Sequence, residues 1–541
     1  MLLSAKRFLA LLVALVLTAA LTGCQPQIED SEEQPVVEES PVKGGKIVFA
    51  GTEPQTLNPI INTDRDAHHF LKLVFEGMVD YDKDLKIKPV LAKDWSVSEN
   101  GNSYTFNLRE NLKWHDGTQV TARDVIFTLE YLKALEGVNS LHVTNIDRIT
   151  YFEALGDYSL NIVFDQWFNG ALDIMTFPVL PSHLYESPTE LAGGKAEFVL
   201  TGTGPYKLKE HQPYKFLGLV QNTHWWGGEP FIPEIEMQFV ADESTALTTF
   251  RADQADIAIT TYPDWDRYTE SGKAYIKDFT TNKYDFLGLN FTEPIFQDKA
   301  LRKAIQYGVD RNKIADKVYL KHAEIVDTPI PPHAWIYSAE ASQYNYSTET
   351  AKAILAEAGW ADRDNDGLLE KEINGVKHDL VFTLLVNSDN PKRFEAAQMV
   401  RDDLQVLGMA VELIENTWEE LISNVNKNEF DAVVLGWNLA NYLDLSFAFH
   451  SNRIENGSNF VSYSDEEMDS LLQEDFRATD QNRKETSANL QEYIAEELPY
   501  NSLYFKKAAL LVKDRIRGDV DPREHNIFLD IEKWYIPEQH Q

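Results

Sequence analysis

Residues 380–436 alternate strand and helix, and this alternation constrains the fold more than any other feature of the chain. Leu380 to Val386 is an apolar strand. Phe394, Ala397, Val400, Leu404 and Leu407 recur at helical spacing and predict one buried stripe, closed by Gly408. Ala410 to Ile414 predicts the next strand, Trp418 to Val425 the next helix, and Asp431 to Gly436 a third strand. Strands that return through helices lie parallel, because only a long crossover brings the chain back in the same direction. The expected class is α/β.

A second strand–loop–helix unit opens the folded part. Lys46 to Gly51 predicts a strand, Thr52 to Pro59 a polar loop, and His68 to Val79 a helix with Phe70, Leu73, Val74 and Gly77 on one face. His68 and His69 are neighbours, about 100° apart on a helix, and read as exposed helix histidines rather than a metal pair. Residues 95–108 alternate around Asn100-Gly101-Asn102, the signature of a hairpin. Thr121 and Asp124 form a capping-box pattern before an apolar helix. In open α/β sheets, ligands lie beyond the carboxyl ends of strands. Two such ends, after Gly51 and after Gly436, predict two lobes facing across a cleft, with Trp437 on its wall.

The chain has 541 residues, with 50 Lys+Arg against 86 Asp+Glu, a net charge of −36. So acidic a surface repels phosphate backbones, and nucleic acid is excluded as a partner. The one cysteine, Cys24, allows no intrachain disulfide. Residues 1–23 read as a signal peptide, with Lys6 and Arg7 before a short apolar run. That run meets Leu21-Thr22-Gly23-Cys24, which resembles the lipobox of bacterial lipoproteins. The resemblance implies cleavage before Cys24, lipidation of its sulfur, and a lipid anchor on the outer face of the cytoplasmic membrane as the only membrane contact. Residues 24–42 are acidic and proline-bearing, without a basic residue until Lys43, and predict a disordered tether.

Motifs of catalysis are missing: no G-x-S-x-G, no P-loop and no H-E-x-x-H occurs. An unmarked secreted hydrolase stays as a remote alternative. Asp362, Asp364 and Asp366 precede Gly367 at the spacing of a calcium loop, with the Leu368 carbonyl and Glu370 in place to add ligands. Ile373 stands where an EF-hand has its bidentate acid. A tight Asp/Gly turn is the first reading, a structural calcium site the second, and no cofactor is required.

Ten short pieces, in order, resemble the bacterial extracellular solute-binding proteins of family 5. They include Phe75-Glu76-Gly77, Leu91 to Arg109, Trp114-His115-Asp116-Gly117, Gly202-Thr203-Gly204-Pro205-Tyr206, Leu301 to Arg311, Pro329-Ile330-Pro331, Gly436-Trp437 and Asn459 to Leu472. The resemblance implies a two-lobed periplasmic-binding-protein fold of the class II type with an extra small domain and a ligand cleft between the lobes. Lobe one would take 43–65, 200–284 and 506–541, the small domain 66–199, and lobe two 285–505. It implies a monomeric binding protein, not an enzyme, that passes an oligopeptide or dipeptide to the permease subunits of an ABC importer. Nickel complexes and oligosaccharides are the alternative ligands. Carried over by position, Glu53, Pro54 and Gln55 on one lobe and Gly436, Trp437 and Asn438 on the other would clamp the ligand. Peptide binders of this family set an aspartate after that tryptophan. Here Ala440 stands in its place, with Asn441, Tyr442 and Asp444 as the nearby polar candidates.

Overall fold

The computed structural model describes residues 40–541 other than residues 136, 138, 139, 141, 144, 271, 342, 343 and 456. The signal peptide, Cys24 and nearly all of the acidic tether lie outside the described residues. Among these, no helix is long and apolar enough to cross a membrane.

An eleven-stranded mixed sheet organises the described chain. From edge to edge it runs Ala410–Asn416, Val381–Asn387, Ala432–Asn438, Ala274–Leu289, Tyr500–Lys513, Ile257–Thr260, Lys46–Thr52, Glu234–Val240, Phe216–Gln221 and Tyr206–Gln212; Ala323–Ile325 also pairs with Tyr500–Lys513. The parallel run expected at 380–436 is present: Val381–Asn387 pairs in parallel with both Ala410–Asn416 and Ala432–Asn438. The parallel run stops at the next partner, because Ala432–Asn438 runs antiparallel to Ala274–Leu289. That strand arrives from the other lobe rather than through a crossover helix, so nothing forces it to be parallel.

Two strands, of 16 and 14 residues, belong to both lobes. Ala274–Thr280 pairs with Lys507–Lys513 on one side. After a break in register between Thr280 and Tyr284, the same two strands pair again through Tyr284–Gly288 and Tyr500–Phe505 on the other. A bulge of this kind bends a strand and sharpens its twist, so the sheet turns where the lobes meet. The strand expected to end at Gly436 runs on through Trp437 and Asn438, which register with Tyr284 and Lys283. Trp437 is therefore a strand residue, paired because its long neighbour extends past the expected end.

Period-two burial divides the second lobe into a core on each sheet face. Ala432 and Val434 join Leu384, Val400 and Trp360 on one face, and Val433 joins Leu421, Phe449 and Tyr500 on the other. Around the first lobe, Phe49, Ile235 and Trp534 share one apolar cluster with Phe106, Leu129 and Phe177 of the 66–199 segment. That segment holds a four-stranded antiparallel sheet, Ala92–Val97, Ser103–Leu108, Ser159–Phe164 and Ile149–Ala154, with the predicted hairpin at its edge. The helix Ala122–Ala134 lies in the same segment and starts at the expected capping box, where the Asp124 carboxylate accepts the Thr121 N–H at 2.8 Å.

Two local expectations fail. The helix predicted over 68–79 is Arg65–Leu71. Beyond it, the Leu73 and Val74 carbonyls accept the N–H groups of Tyr206 and Gly204, at 3.0 and 2.9 Å. A helix continued there would aim those carbonyls along its own axis, so the tertiary contact ends it. The histidines are not exposed either: His69 is 2% exposed, and it shares its surroundings with His525, 3% exposed. Burial pushes His525 down to about 3 and His69 well below the ordinary range. These rings stay neutral in the folded state while the unfolded chain takes up protons below about pH 6.5, so they withdraw stability as the pH falls from there. Glu76 acts in the opposite sense. Burial raises it to about 7 although Trp225 and Trp226 both donate to it at 3.0 Å, so its contribution is full below the unfolded value and is lost as the pH rises through 7. Melting temperatures taken from pH 7 to 4 should therefore fall more steeply for Glu76→Gln, and less steeply for His525→Phe, than for the parent. Parallel curves for all three proteins would contradict both assignments.

Candidate functional site

A cavity of about 410 Å³ opens where the two long strands cross between the lobes. Its floor is the bulge itself. The Thr281 hydroxyl donates to the Lys506 carbonyl at 2.7 Å and accepts the Lys283 N–H at 3.2 Å, which fixes the irregular turn of backbone and leaves Lys283 exposed. Thr261 and Pro263 close one side from the first lobe. Asn390, Lys392 and Arg393, at the start of the helix Pro391–Val406, close the other.

The centre of the site is a buried carboxylate. Asp285 is 1% exposed, with Arg393 at 2.9 Å on one oxygen and Lys506 at 2.8 Å on the other. Burial alone would favour its neutral form, but Lys506 and Arg393 hold it below the usual carboxylate range. Burial holds Lys506 below the usual amine range. Arg393 is fixed further by Asn387, whose side-chain oxygen accepts at 3.1 Å. Gly436 makes this arrangement possible, since a Cβ there would stand 2.1 Å from Asp285 Oδ1 and 2.8 Å from Arg393 Nη2. Here glycine gives room to side chains from neighbouring elements.

Of the positions expected from the sequence, Gly436, Trp437 and Asn438 line the cavity. Trp437 is half-buried. One edge meets the cavity, while its ring packs on Phe447 at 5.2 Å and Phe460 at 5.9 Å and its indole N–H donates to Tyr500 at 3.3 Å. Glu53, Pro54, Gln55, Asn441, Tyr442 and Asp444 are not among the lining residues. Glu53 accepts the Tyr214 N–H at 2.8 Å, Asn441 accepts from the Asn282 amide at 2.8 Å, and Asp444 accepts the Ser446 N–H at 2.9 Å. Tyr442 reaches across to the 66–199 segment. It donates to Asn169 at 2.7 Å and lays its ring against Gly170, where a Cβ would be 2.4 Å away. Beside it, Trp167 donates to the Arg477 carbonyl at 2.8 Å, and Phe168 stacks on Phe476 at 5.6 Å.

The residues that sequence reasoning missed are Asp285, Arg393, Lys506, Lys283 and Lys392. A signal existed: Asp285 interrupts the apolar Tyr284-Asp285-Phe286-Leu287, and Lys506-Lys507 interrupts Leu503 to Val512. A charge inside a strand that must be buried needs a partner. Their pairing spans more than 200 residues, so no local pattern could join them.

In the acidic loop, side-chain oxygens of Asp362, Asp364 and Glu370 lie within 4.8 Å of one another, with Asp362 and Asp364 exposed. Asp362 accepts the Asp366 and Gly367 N–H groups at 3.1 and 3.0 Å, Asp366 accepts the Leu368 N–H at 2.8 Å, and Lys377 sits 3.2 Å from Asp364. These are the duties of a turn. A chelator is expected to leave the melting temperature unchanged. A fall that calcium reverses and Asp364→Ala abolishes would assign the loop to the ion instead.

Comparison with known proteins agrees with this geometry. The family model for bacterial extracellular solute-binding proteins, family 5 (middle region), matches residues 86–459. The oligopeptide-binding protein AppA of Bacillus subtilis is 27% identical over 543 residues, covering 97% of each chain. Its structure in complex with a nonapeptide superposes with a TM-score of 0.65 at 26% identity, covering 92% of this chain and all of that one. NikZ from Campylobacter jejuni, solved with Ni(L-His), has the same fold, with a TM-score of 0.66, 23% identity, and coverage of 90% and 99%. The fold is the two-lobed periplasmic-binding fold, and the chain belongs to the bacterial extracellular solute-binding proteins of family 5.

Proposed function

We propose that this protein is the substrate-binding component of an ABC importer. In this reading it captures an oligopeptide between its lobes, performs no chemistry on it, and presents it to the permease subunits as a monomer. The observation that carries the reading is the end-to-end match with an oligopeptide-binding protein. The cavity between the lobes supports it, because its lining offers hydrogen-bonding groups such as Thr261, Asn390 and Asn438 beside the apolar edge of Trp437. Backbone hydrogen bonds and water-filled side-chain pockets suit a ligand of varied sequence. Mass spectrometry of the molecules released on denaturing the purified protein tests this. Intact peptides are expected, and a released sugar, or peptides recovered only as cleavage products, would overturn it. A chelated nickel ion is the second reading, favoured by the fold shared with NikZ and by His322 in the lining. Metal analysis of the same released fraction separates the two.

The membrane location is part of the same proposal. Lipid on Cys24 would tether the domain outside the cell membrane through the acidic segment. Cys24→Ser is expected to move the protein from the membrane fraction to the soluble one. If Cys24→Ser remains with the membrane after signal cleavage, the lipid anchor is wrong.

A further inference from the structure

The 66–199 segment shares its apolar core with the first lobe, so the two move together, and it meets the second lobe along a seam outside the cavity. Arg148 lies over Phe168 at 4.3 Å and, across the seam, over Phe476 at 5.1 Å. The Asn169 N–H donates to the Phe476 carbonyl at 2.9 Å, and the Asn169 amide donates to the carbonyl of Asp475. Behind these contacts carboxylates outnumber cations. Asp475 is 6% exposed and accepts from the Thr486 hydroxyl at 3.0 Å. Arg483, Asp444 and Tyr442 face it from the second lobe. From the 66–199 segment comes Asp173, which accepts from Tyr81 at 2.9 Å and also feels Asp480 of the turn before Arg483. Arg483 is the cation that acts on both Asp475 and Asp173. Among the described residues it forms no ion pair, its Nε has no hydrogen-bond partner, and its guanidinium lies 5.5 Å from the Tyr442 ring and 5.9 Å from that of Trp335. Burial pushes Asp475 up to about 6 against the pull of Arg483 and Thr486, and it raises Asp173 against Arg483 and Tyr81.

We infer that this seam is a proton-sensitive latch: closing the lobes takes up a proton on Asp475, so the closed form gains on the open one as the surroundings acidify. This rests on the reading of a protein that opens and closes on its ligand, and it adds a control that lies outside the cavity. When the lobes part, Asn169 and its neighbours leave, water reaches the carboxylate, and Asp475 returns to the ordinary range near about 4. Between those two values the closed form holds a proton that the open form has lost. The gain on closing is therefore full below the ordinary carboxylate range and is lost as the pH rises through 6. Above that, closing buries a charge that Arg483 alone must offset. His333 works in the opposite sense at a second contact between the same parts, where the Trp335 N–H donates to the Asp84 carbonyl at 2.8 Å. Burial and Arg523 push His333 down to about 4 against Glu324 and Asp84, so it favours the open form below about pH 6.5. The whole protein responds to the sum of the two, and replacing Asp475 alone separates its share.

Asp475→Asn keeps an oxygen that can accept from Thr486 and carries no charge at any pH, so it stands for the protonated acid. Dyes on Leu155→Cys and Val406→Cys, exposed positions on opposite sides of the seam, report the closed-to-open ratio by fluorescence energy transfer in the full-length protein with Cys24→Ser and no ligand present. At about pH 7.5, Asp475→Asn is expected to raise that ratio at least about tenfold over the parent, since each unit of difference between the two forms is worth a factor of about ten. By about pH 5 this advantage should shrink at least about threefold, because the parent then takes up the proton itself. A residue that only packs the seam would give a change that ignores pH. An advantage of the same size at both pH values, no advantage at either, or lobes that stay wholly open or wholly closed in both proteins throughout, overturns the inference. If Asp475→Asn does not fold, Asp475→Ser, also uncharged, takes its place in the same comparison with the same outcomes. Because the dyes read closure without ligand, a protein that retained no peptide would sink the peptide reading and leave this one standing.

Discussion

Asp285→Ala is expected to lower folding stability by about 3–5 kcal/mol, the usual cost of removing one member of a buried ion pair. Arg393 and Lys506 would face each other with nothing between them, at a place where Gly436 leaves no side chain to fill the gap. Asp285→Asn separates charge from shape. The amide fits the same space and still accepts from Arg393, but it leaves two cations unbalanced, so it should recover only part of the loss. Urea denaturation followed by circular dichroism measures both. A cost below about 1 kcal/mol for Asp285→Ala would show that water entering from the cavity already screens the cluster. Because the folded Asp285 is held below its ordinary range, its contribution is present at neutral pH and is lost as the pH falls through the carboxylate range.

Trp437→Ala is expected to act on two readouts together. The edge that meets the cavity predicts a loss of ligand binding of about 1–3 kcal/mol, through lost packing and admitted water. The face held by Phe447, Phe460 and Tyr500 predicts a loss of stability of about 2–4 kcal/mol, near the range for truncating a large core side chain. A ligand titration beside a denaturation curve on the same variant measures both. If stability falls while the remaining folded protein binds ligand as tightly as the parent, the ring is purely a core element. If only binding changes, the aromatic cluster does not depend on it. Trp437→Phe should keep most of the packing and lose only the hydrogen bond to Tyr500.

The sequence was most legible where the fold is local. The strands and helices from Val381 to Asn426 follow from period and punctuation alone, because each helix buries one stripe and starts at a cap. Legibility stopped where distant segments decide. The helix after Arg65 is cut short by strand residues near Gly204, and Ala432–Asn438 is prolonged by Ala274–Leu289. The site divided in the same way. Gly436, Trp437 and Asn438 were visible as the end of a strand, while the cationic group around Asp285 is assembled from three separate segments. Tyr442 carries the same lesson from the other direction: polar, and close in sequence to the cavity, it points to Asn169 because another segment offers a glycine for its ring to lie on.

The contacts of Tyr442, Trp167 and Phe168 with the facing segment have a consequence for selectivity. Any opening that draws residues 66–199 away from residues 285–505 must undo them. None of these side chains lines the cavity, so remaking them on closure contributes the same free energy whatever the cavity holds. A common term of that kind multiplies every association constant by one factor and cancels from their ratios. Evolution can therefore raise or lower the overall tightness of capture at this seam, matching it to the concentration of nutrient outside the cell, while the spectrum of accepted ligands stays as the cavity sets it.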